Sequence, residues 1–227
     1  DDMVIIDSGS TDNTEQIARK FNTNFIFREL DNFKNQRIFS YNQCKYRWIM
    51  MFDSDEVPDD TYLNSIVELK KNNFLYNGRG YDLYRVLRKW YVLGTEVHVF
   101  YPLTCPDSHR RIFDSHKVKI KPDTNFVHEN MTGYDSSATL PGYVLHYAVD
   151  SIDILYRRLD LYTTLAAQDL KRKGRKSNLL ISYLHAMGAW VKWYFKKGGF
   201  RDGRVGWILG KYAFNYTFIK YQKLQKL

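Results

Sequence analysis

Asp53-Ser54-Asp55-Glu56 follows directly on the apolar run Trp48-Ile49-Met50-Met51-Phe52. Carboxylates at the end of a buried strand are hard oxygen donors on a rigid support, a set that suits Mg²⁺ or Mn²⁺. In an extended loop side chains alternate, so Asp53 and Asp55 are expected to point the same way, one toward a nucleotide and one toward a cation bound to its diphosphate. A cation held there would neutralise charge developing on a leaving diphosphate. The tetrapeptide also reads as a solvated acidic loop ahead of a helix, with Asp59 or Asp60 as the N-cap.

The elements that would position this loop are legible in the preceding residues. Residues 3–6 are a β-branched apolar run ending at Asp7, and the polar turn 8–14 leads into apolar residues at helical spacing over 15–21. Residues 24–27 predict a second strand, 34–44 a second helix, and 48–52 a third strand apolar enough to be buried on both faces. Alternation of this kind points to a mostly parallel, doubly wound sheet, whose ligands sit at the carboxyl ends of the strands, where Asp7 and Asp53 fall. A helix is expected over 61–72, strands or a hairpin over 81–101, and short strands at 110–113, 117–120 and 125–127, with Gly133, Pro141 and Gly142 in loops. From residue 150 the pattern is helical: 152–162, 179–195 and 205–221. The first strand begins so near the first residue that an earlier strand and helix are expected to belong to the same domain.

Two segments, VIIDSGSTDNT at 4–14 and WIMMFDSDE at 48–56, together resemble the paired signatures of family 2 glycosyltransferases of the GT-A fold. An RRIF stretch at 110–113, a VHE triplet at 127–129, LHY at 145–147 and GGFRDGRVG at 198–206 follow in an order similar to the lipopolysaccharide-core glucosyltransferase-like branch, so the resemblance covers almost the whole chain. It implies an α/β GT-A fold with a doubly wound, mostly parallel sheet and a helical C-terminal extension. The expected domains are a catalytic domain over 1–149, with a nucleotide-sugar part at 1–72 and an acceptor-side part at 73–149, and an extension over 150–227.

The resemblance also implies roles. Asp7 would recognise the nucleotide base, Asp53 the ribose or the metal through water, and Asp55 would ligate a divalent cation directly, with Glu56 extending the motif. Arg37 matches a cationic position near the donor diphosphate, with Lys34 as a substitute, although Ile38 stands where relatives commonly carry Asn. Glu129 is the expected base for an inverting transfer, which needs a proton acceptor within reach of the acceptor hydroxyl. His146 is the expected further metal ligand, with His128 as the contender. Asp12 is expected to cap a helix, as are Ser10 or Thr11, and Gly9 to permit the tight turn. Each of these polar residues also has a plainer reading, as a solvated helix face, an ion-pair partner or a hydrogen-bonded structural histidine.

The chain of 227 residues holds 34 Lys and Arg against 25 Asp and Glu, a net charge of +9. Such a surface attracts anions without choosing among nucleotide diphosphates, nucleic acid and acidic headgroups. Cys44 and Cys105 lack metal-type spacing and fit a reducing, cytoplasmic compartment. The longest nearly uncharged apolar stretch, 179–191, is too short to cross a bilayer, and no basic-then-apolar leader opens the sequence. Aromatic residues interleaved with Lys and Arg over 190–221 suit a helical core with a wet basic side, or peripheral contact with the inner membrane, and Gly198 and Gly203 suit a turn there with Arg201 facing an anionic acceptor. The leading expectation is therefore a metal-dependent transferase using a UDP-sugar and a glycan or lipid-linked acceptor. A non-catalytic anion- or membrane-binding relative is the alternative, and a nucleic-acid partner is not expected because no recognisable motif for one is present.

Overall fold

Val4–Asp7 forms strand β1 and pairs in parallel with β2, Asn24–Phe27, in a register running from Val4 opposite Asn24 to Asp7 opposite Phe27. A parallel pair needs a crossover, and helix α1, Thr14–Arg19, supplies it. Helix α2, Phe33–Asn42, starts where the Asn32 side chain accepts a hydrogen bond from the Asn35 N–H at 2.9 Å. These elements belong to a computed structural model that describes residues 1–121 and 130–227.

Strand β3 is Trp48–Met50 and β4 is Glu56–Pro58, followed by helix α3, Asp60–Lys71. A short hairpin, β5 Leu75–Tyr76 and β6 Arg79–Gly80, precedes the longer hairpin of β7, Leu83–Val92, and β8, Thr95–Val97. β9 Val99–Phe100 pairs with β10 Leu103–Thr104, then come β11 Asp107–Asp114, the pair β12 Lys119–Lys121 and β13 Asn130–Thr132, and β14 Ser137–Val149. The chain ends in α4 Ile152–Arg172, α5 Leu179–Trp190 with a π-helical continuation Val191–Lys196, a 3₁₀ turn Gly199–Asp202, and α6 Gly203–Lys226.

Five of the strands form a sheet in the order β3-β11-β7-β14-β4, to which β8 adds on β7. β3 runs antiparallel to β11, β4 to β14, and β8 to β7. The α/β class and the helical C-terminal region are as expected; the parallel pair read from residues 4–27 stands as a separate two-stranded sheet of β1 and β2, whereas β3 with β11, β4 with β14 and β8 with β7 pair antiparallel. Sequence periodicity reports which face of a strand is buried, not which neighbour it pairs with.

The chain divides into two compact units, the first comprising Asp1–Phe52, Ile66–Arg85 and Arg110–Leu140, the second Asp53–Ser65, Val86–His109 and Pro141–Leu227. In the first, Ile49, Leu83, Phe113, Val118 and Met131 form the core. β3 lies at an edge of its sheet and Met50 is 47% exposed, so this strand is not buried on both faces as its composition suggested. In the second unit Trp90, Val92, Val97, Leu155, Leu159, Val205, Leu209 and Tyr212 pack together, joining the hairpin to α4 and α6.

β14 also departs from expectation, because it continues through Pro141 and Gly142, which were read as loop residues. Gly142 has φ +93°, and a Cβ there would stand 2.3 Å from the Tyr62 backbone nitrogen. The glycine therefore marks a close approach of strand to helix within a continuous strand. Asp59 caps α3, accepting the Tyr62 N–H at 2.8 Å, as foreseen.

Candidate active site

The tetrapeptide after the third apolar run is a tight turn, not an extended loop. The Glu56 N–H donates to the Asp53 carbonyl at 3.1 Å, and the Glu56 carboxylate reaches back to accept the Asp53 N–H at 3.2 Å. Alternation therefore does not govern where Asp53 and Asp55 point; the turn does. Nor does Glu56 extend the acidic motif outward, since its side chain is 0% exposed and its Oε1 accepts a hydrogen bond from Arg88 at 3.0 Å.

Arg88 comes from β7, where Val86, Arg88, Trp90 and Val92 all occupy the buried phase of the strand. Its other guanidinium nitrogens donate to both oxygens of Asp107 on β11, at 3.1 and 2.8 Å, and the Trp90 indole N–H donates to the same carboxylate at 2.6 Å. Burial opposes charge on this guanidinium, but the bonds to Asp107 and Glu56 outweigh it and raise its pKa further. The result is a satisfied, nearly dry network of one cation and two anions beneath the turn.

The β4–β14 ladder brings His146 to the same turn. His146 pairs with Glu56 across the ladder, and the Tyr147 N–H donates to the Asp55 carbonyl at 2.8 Å. His146 Nε2 lies 3.2 Å from Asp55 Oδ2, and its ring stands edge-on to Trp90 at 4.3 Å between centroids. The imidazole is 12% exposed while Asp55 is 40% exposed, so the histidine is fixed from below and the carboxylate faces outward. His146 Nδ1 is buried with no hydrogen-bond partner among the described residues.

An oxygen and a nitrogen 3.2 Å apart can both lie in one coordination sphere, since each would sit about 2.1 Å from the ion. The residues present thus fit a divalent cation with one carboxylate and one imidazole, a mixed set that favours Mn²⁺ over the all-oxygen preference of Mg²⁺. Among the described residues no group of three or more His, Cys, Asp or Glu gathers at one point, so a cation there would need oxygens from a ligand or water.

Asp7 and Arg37 belong to the first unit. Asp7 ends β1 and holds the following turn: its Oδ2 accepts from the Gly9 and Ser10 N–H groups at 2.8 and 2.9 Å, and its Oδ1 from the Ser10 hydroxyl at 2.5 Å. The Ser10 hydroxyl first, then the two N–H groups, keep this carboxyl below the ordinary carboxylate range. Ser10 is accordingly committed to Asp7 and does not cap α1, whose N-cap is Asn13; Asp12 accepts from Thr14 instead. Gly9 has φ +101°, which meets the expected need for glycine. Gln36, adjacent to Arg37 on α2, donates to Ser8 at 3.0 Å, tying that helix to the Asp7 turn. Glu129, the expected base, and His128 lie outside the described residues. Arg88 and Asp107 were missed in the sequence, although an arginine in phase with Val86, Trp90 and Val92 was a readable sign of a buried ion pair.

The family described as Glycosyl transferase family 2 matches residues 1–139. An uncharacterized glycosyltransferase of Rickettsia typhi, RT0209, is 25% identical over 100% of this chain and 78% of its own length. The lipopolysaccharide core biosynthesis glycosyltransferase LpsC of Rhizobium meliloti is 23% identical over 98% of this chain and 82% of its own. Among solved structures, S. aureus TarS 1-349 in complex with UDP-GlcNAc aligns with 99% of this chain and 81% of its own, with a TM-score of 0.41 and 12% identity.

Proposed function

This chain belongs to glycosyl transferase family 2 and is a glycosyltransferase, and from that membership we propose an inverting transfer of a sugar from a UDP-sugar to a glycan or lipid-linked acceptor in cell-surface polysaccharide or lipopolysaccharide synthesis. The observation that carries the donor reading is the Asp55–His146 pair, a carboxylate on a turn braced by a buried ion network and an imidazole on β14 3.2 Å from it. The LpsC relative supports the acceptor class.

In this reading Asp55 and His146 hold Mn²⁺ or Mg²⁺, which when bound supplies positive charge to the leaving diphosphate. Asp53 contacts the ribose, Asp7 the nucleotide base, and Arg37 the diphosphate. Asp7 serves that role with the oxygen lone pairs its own turn leaves over, since each carboxylate oxygen accepts more than one bond. Glu129 takes the proton of the acceptor hydroxyl as that oxygen attacks the sugar opposite the leaving group. The enzyme works at the cytoplasmic face of the membrane in peripheral contact with it; among the described residues no helix is long and apolar enough to cross one.

The test is calorimetric titration of UDP into the chain with and without Mn²⁺, beside Asp55→Ala. Metal-dependent binding that the variant loses is the expected result. Metal-independent binding, or binding unchanged in Asp55→Ala, would sink the assignment.

A further inference from the structure

The C-terminal helices carry an aromatic and cationic surface to which the proposed donor, metal and base assignments give no role. α5 with its π-helical continuation, α6 and Tyr101 enclose a groove of about 300 Å³. Its walls are aromatic and cationic. His185 lies flat on Tyr221, 4.4 Å between centroids and 2° from parallel, and Trp193 stands edge-on to Tyr101 at 5.4 Å. The Lys220 ammonium sits 5.2 and 5.5 Å from the Tyr221 and Tyr216 rings, and that of Lys192 5.3 Å from Trp193.

Among the described residues neither lysine has a carboxylate partner. Burial disfavours charge on Lys220 and pulls its pKa below the ordinary lysine value. Aromatic faces offset part of that cost, and an anion in the groove would offset the rest.

A second feature adjoins the groove. Leu180, Leu184, Val191 and Phe195 are exposed at helical spacing along α5 and its continuation, and Leu184 forms part of the groove itself. The Lys197 ammonium, 6.0 Å from the Trp193 ring, adds to the cationic side. A soluble anion would account for the lysines but not for the apolar ridge, and an apolar partner would leave the lysines without a counter-ion. An anionic lipid satisfies both, with acyl chains beside the ridge and a phosphate between the ammonium groups.

We propose that the groove between α5 and α6 binds the phosphate-bearing headgroup of an anionic lipid, with Lys192 and Lys220 on the phosphate and the Leu180, Leu184, Val191 and Phe195 ridge entering the membrane interface. This gives the membrane contact a defined site and rests on no part of the donor reading.

The experiment is co-flotation of the full chain with phosphatidylcholine vesicles containing or lacking phosphatidylglycerol. The chain is expected to float with the anionic vesicles only. Lys192→Gln/Lys220→Gln should lower partitioning by roughly tenfold or more, given about 1 kcal/mol per cation at an anionic surface. Lys20→Gln/Lys45→Gln, which removes the same charge elsewhere, should leave it within about twofold. Leu184→Ser/Phe195→Ser, which spares every cation, should also weaken flotation and separates loss of the site from misfolding of the Lys220 variant. Equal losses in the two lysine pairs would reduce the effect to net charge and overturn the site. Binding of glycerol phosphate that depends on Lys192 and Lys220, without vesicle binding, would overturn the lipid assignment in favour of a soluble phosphate.

Discussion

Arg88 Nη1 donates to Glu56 Oε1 at 3.0 Å, with the arginine side chain 9% exposed and the glutamate 0%. Glu56 in turn holds the Asp53 N–H, so the guanidinium reaches the start of the turn through one carboxylate. Removing the cation leaves Glu56 and Asp107 as buried anions without their partner. Arg88→Met should therefore destabilise the chain by about 3–5 kcal/mol, whereas Glu56→Gln, which keeps an acceptor for Arg88, should cost less. Urea unfolding of the three proteins checks this, and a loss below about 1 kcal/mol for Arg88→Met would show the network to be dispensable.

The strand-to-helix approach at Gly142 gives a steric prediction. Its added Cβ would meet the Tyr62 nitrogen at 2.3 Å and Cα at 2.7 Å, both backbone atoms that cannot swing aside. Gly142→Ala should cost more than about 3 kcal/mol, while Gly94→Ala, at φ +75° with nothing within 4 Å, should cost only the left-handed penalty of about 1–2 kcal/mol. Thermal and chemical unfolding rank the two, and a reversed order would contradict the packing described.

These two sites also mark where the sequence was and was not readable. β1 and β2 were legible because four-residue β-branched and aromatic runs are bounded by turn residues, and α3 because Asp59 precedes a helical period. β14 was not, since Pro141 and Gly142 carry the local signature of a loop and only the distant Tyr62 backbone explains them. Asp53 and Asp55 do lie just past a strand end, as read, but the inward turn of Glu56 depends on Arg88, 32 residues away in sequence. Local pattern identifies donors of charge; it does not say which of them the fold consumes.

Acid should expose a further ion pair. The Asp114 side chain is 2% exposed and its carboxyl is held below the ordinary range chiefly by Arg47, against a smaller opposing effect of burial, with the His116 N–H helping. A carboxyl depressed on folding contributes stability that is present above its unfolded pKa near 3.9 and lost as pH falls through its lower folded value. Asp114→Asn should be less stable than the parent at pH 7 and should lose less on acidification, so that the two curves converge below about pH 3. Parallel curves across that range would show that this carboxyl is not linked to folding.

For the proposed metal site the discriminating residue is His146, because Asp55 faces outward and can serve other ligands. His146→Ala should raise the Mn²⁺ concentration needed for half-maximal UDP binding by at least about tenfold while leaving the UDP affinity at saturating Mn²⁺ less affected. A structural histidine bracing Trp90 would instead lower stability and shift both quantities together. Titration of Mn²⁺ at fixed UDP, with unfolding measured alongside, separates these roles.

The proposed base is tested by charge alone. Glu129→Gln preserves size and hydrogen-bonding capacity while removing the proton acceptor, so UDP binding should be unchanged and transfer should fall by roughly 10²–10⁴-fold. The rate is to be read as sugar transfer at saturating donor, after a screen of UDP-sugars has identified one that is turned over. If the variant also lost UDP binding, Glu129 would belong to the donor site and not to the acceptor side. If transfer stayed near the parent rate, the proton would leave by another group, and the inverting scheme built on Glu129 would fail even with the metal and nucleotide assignments intact.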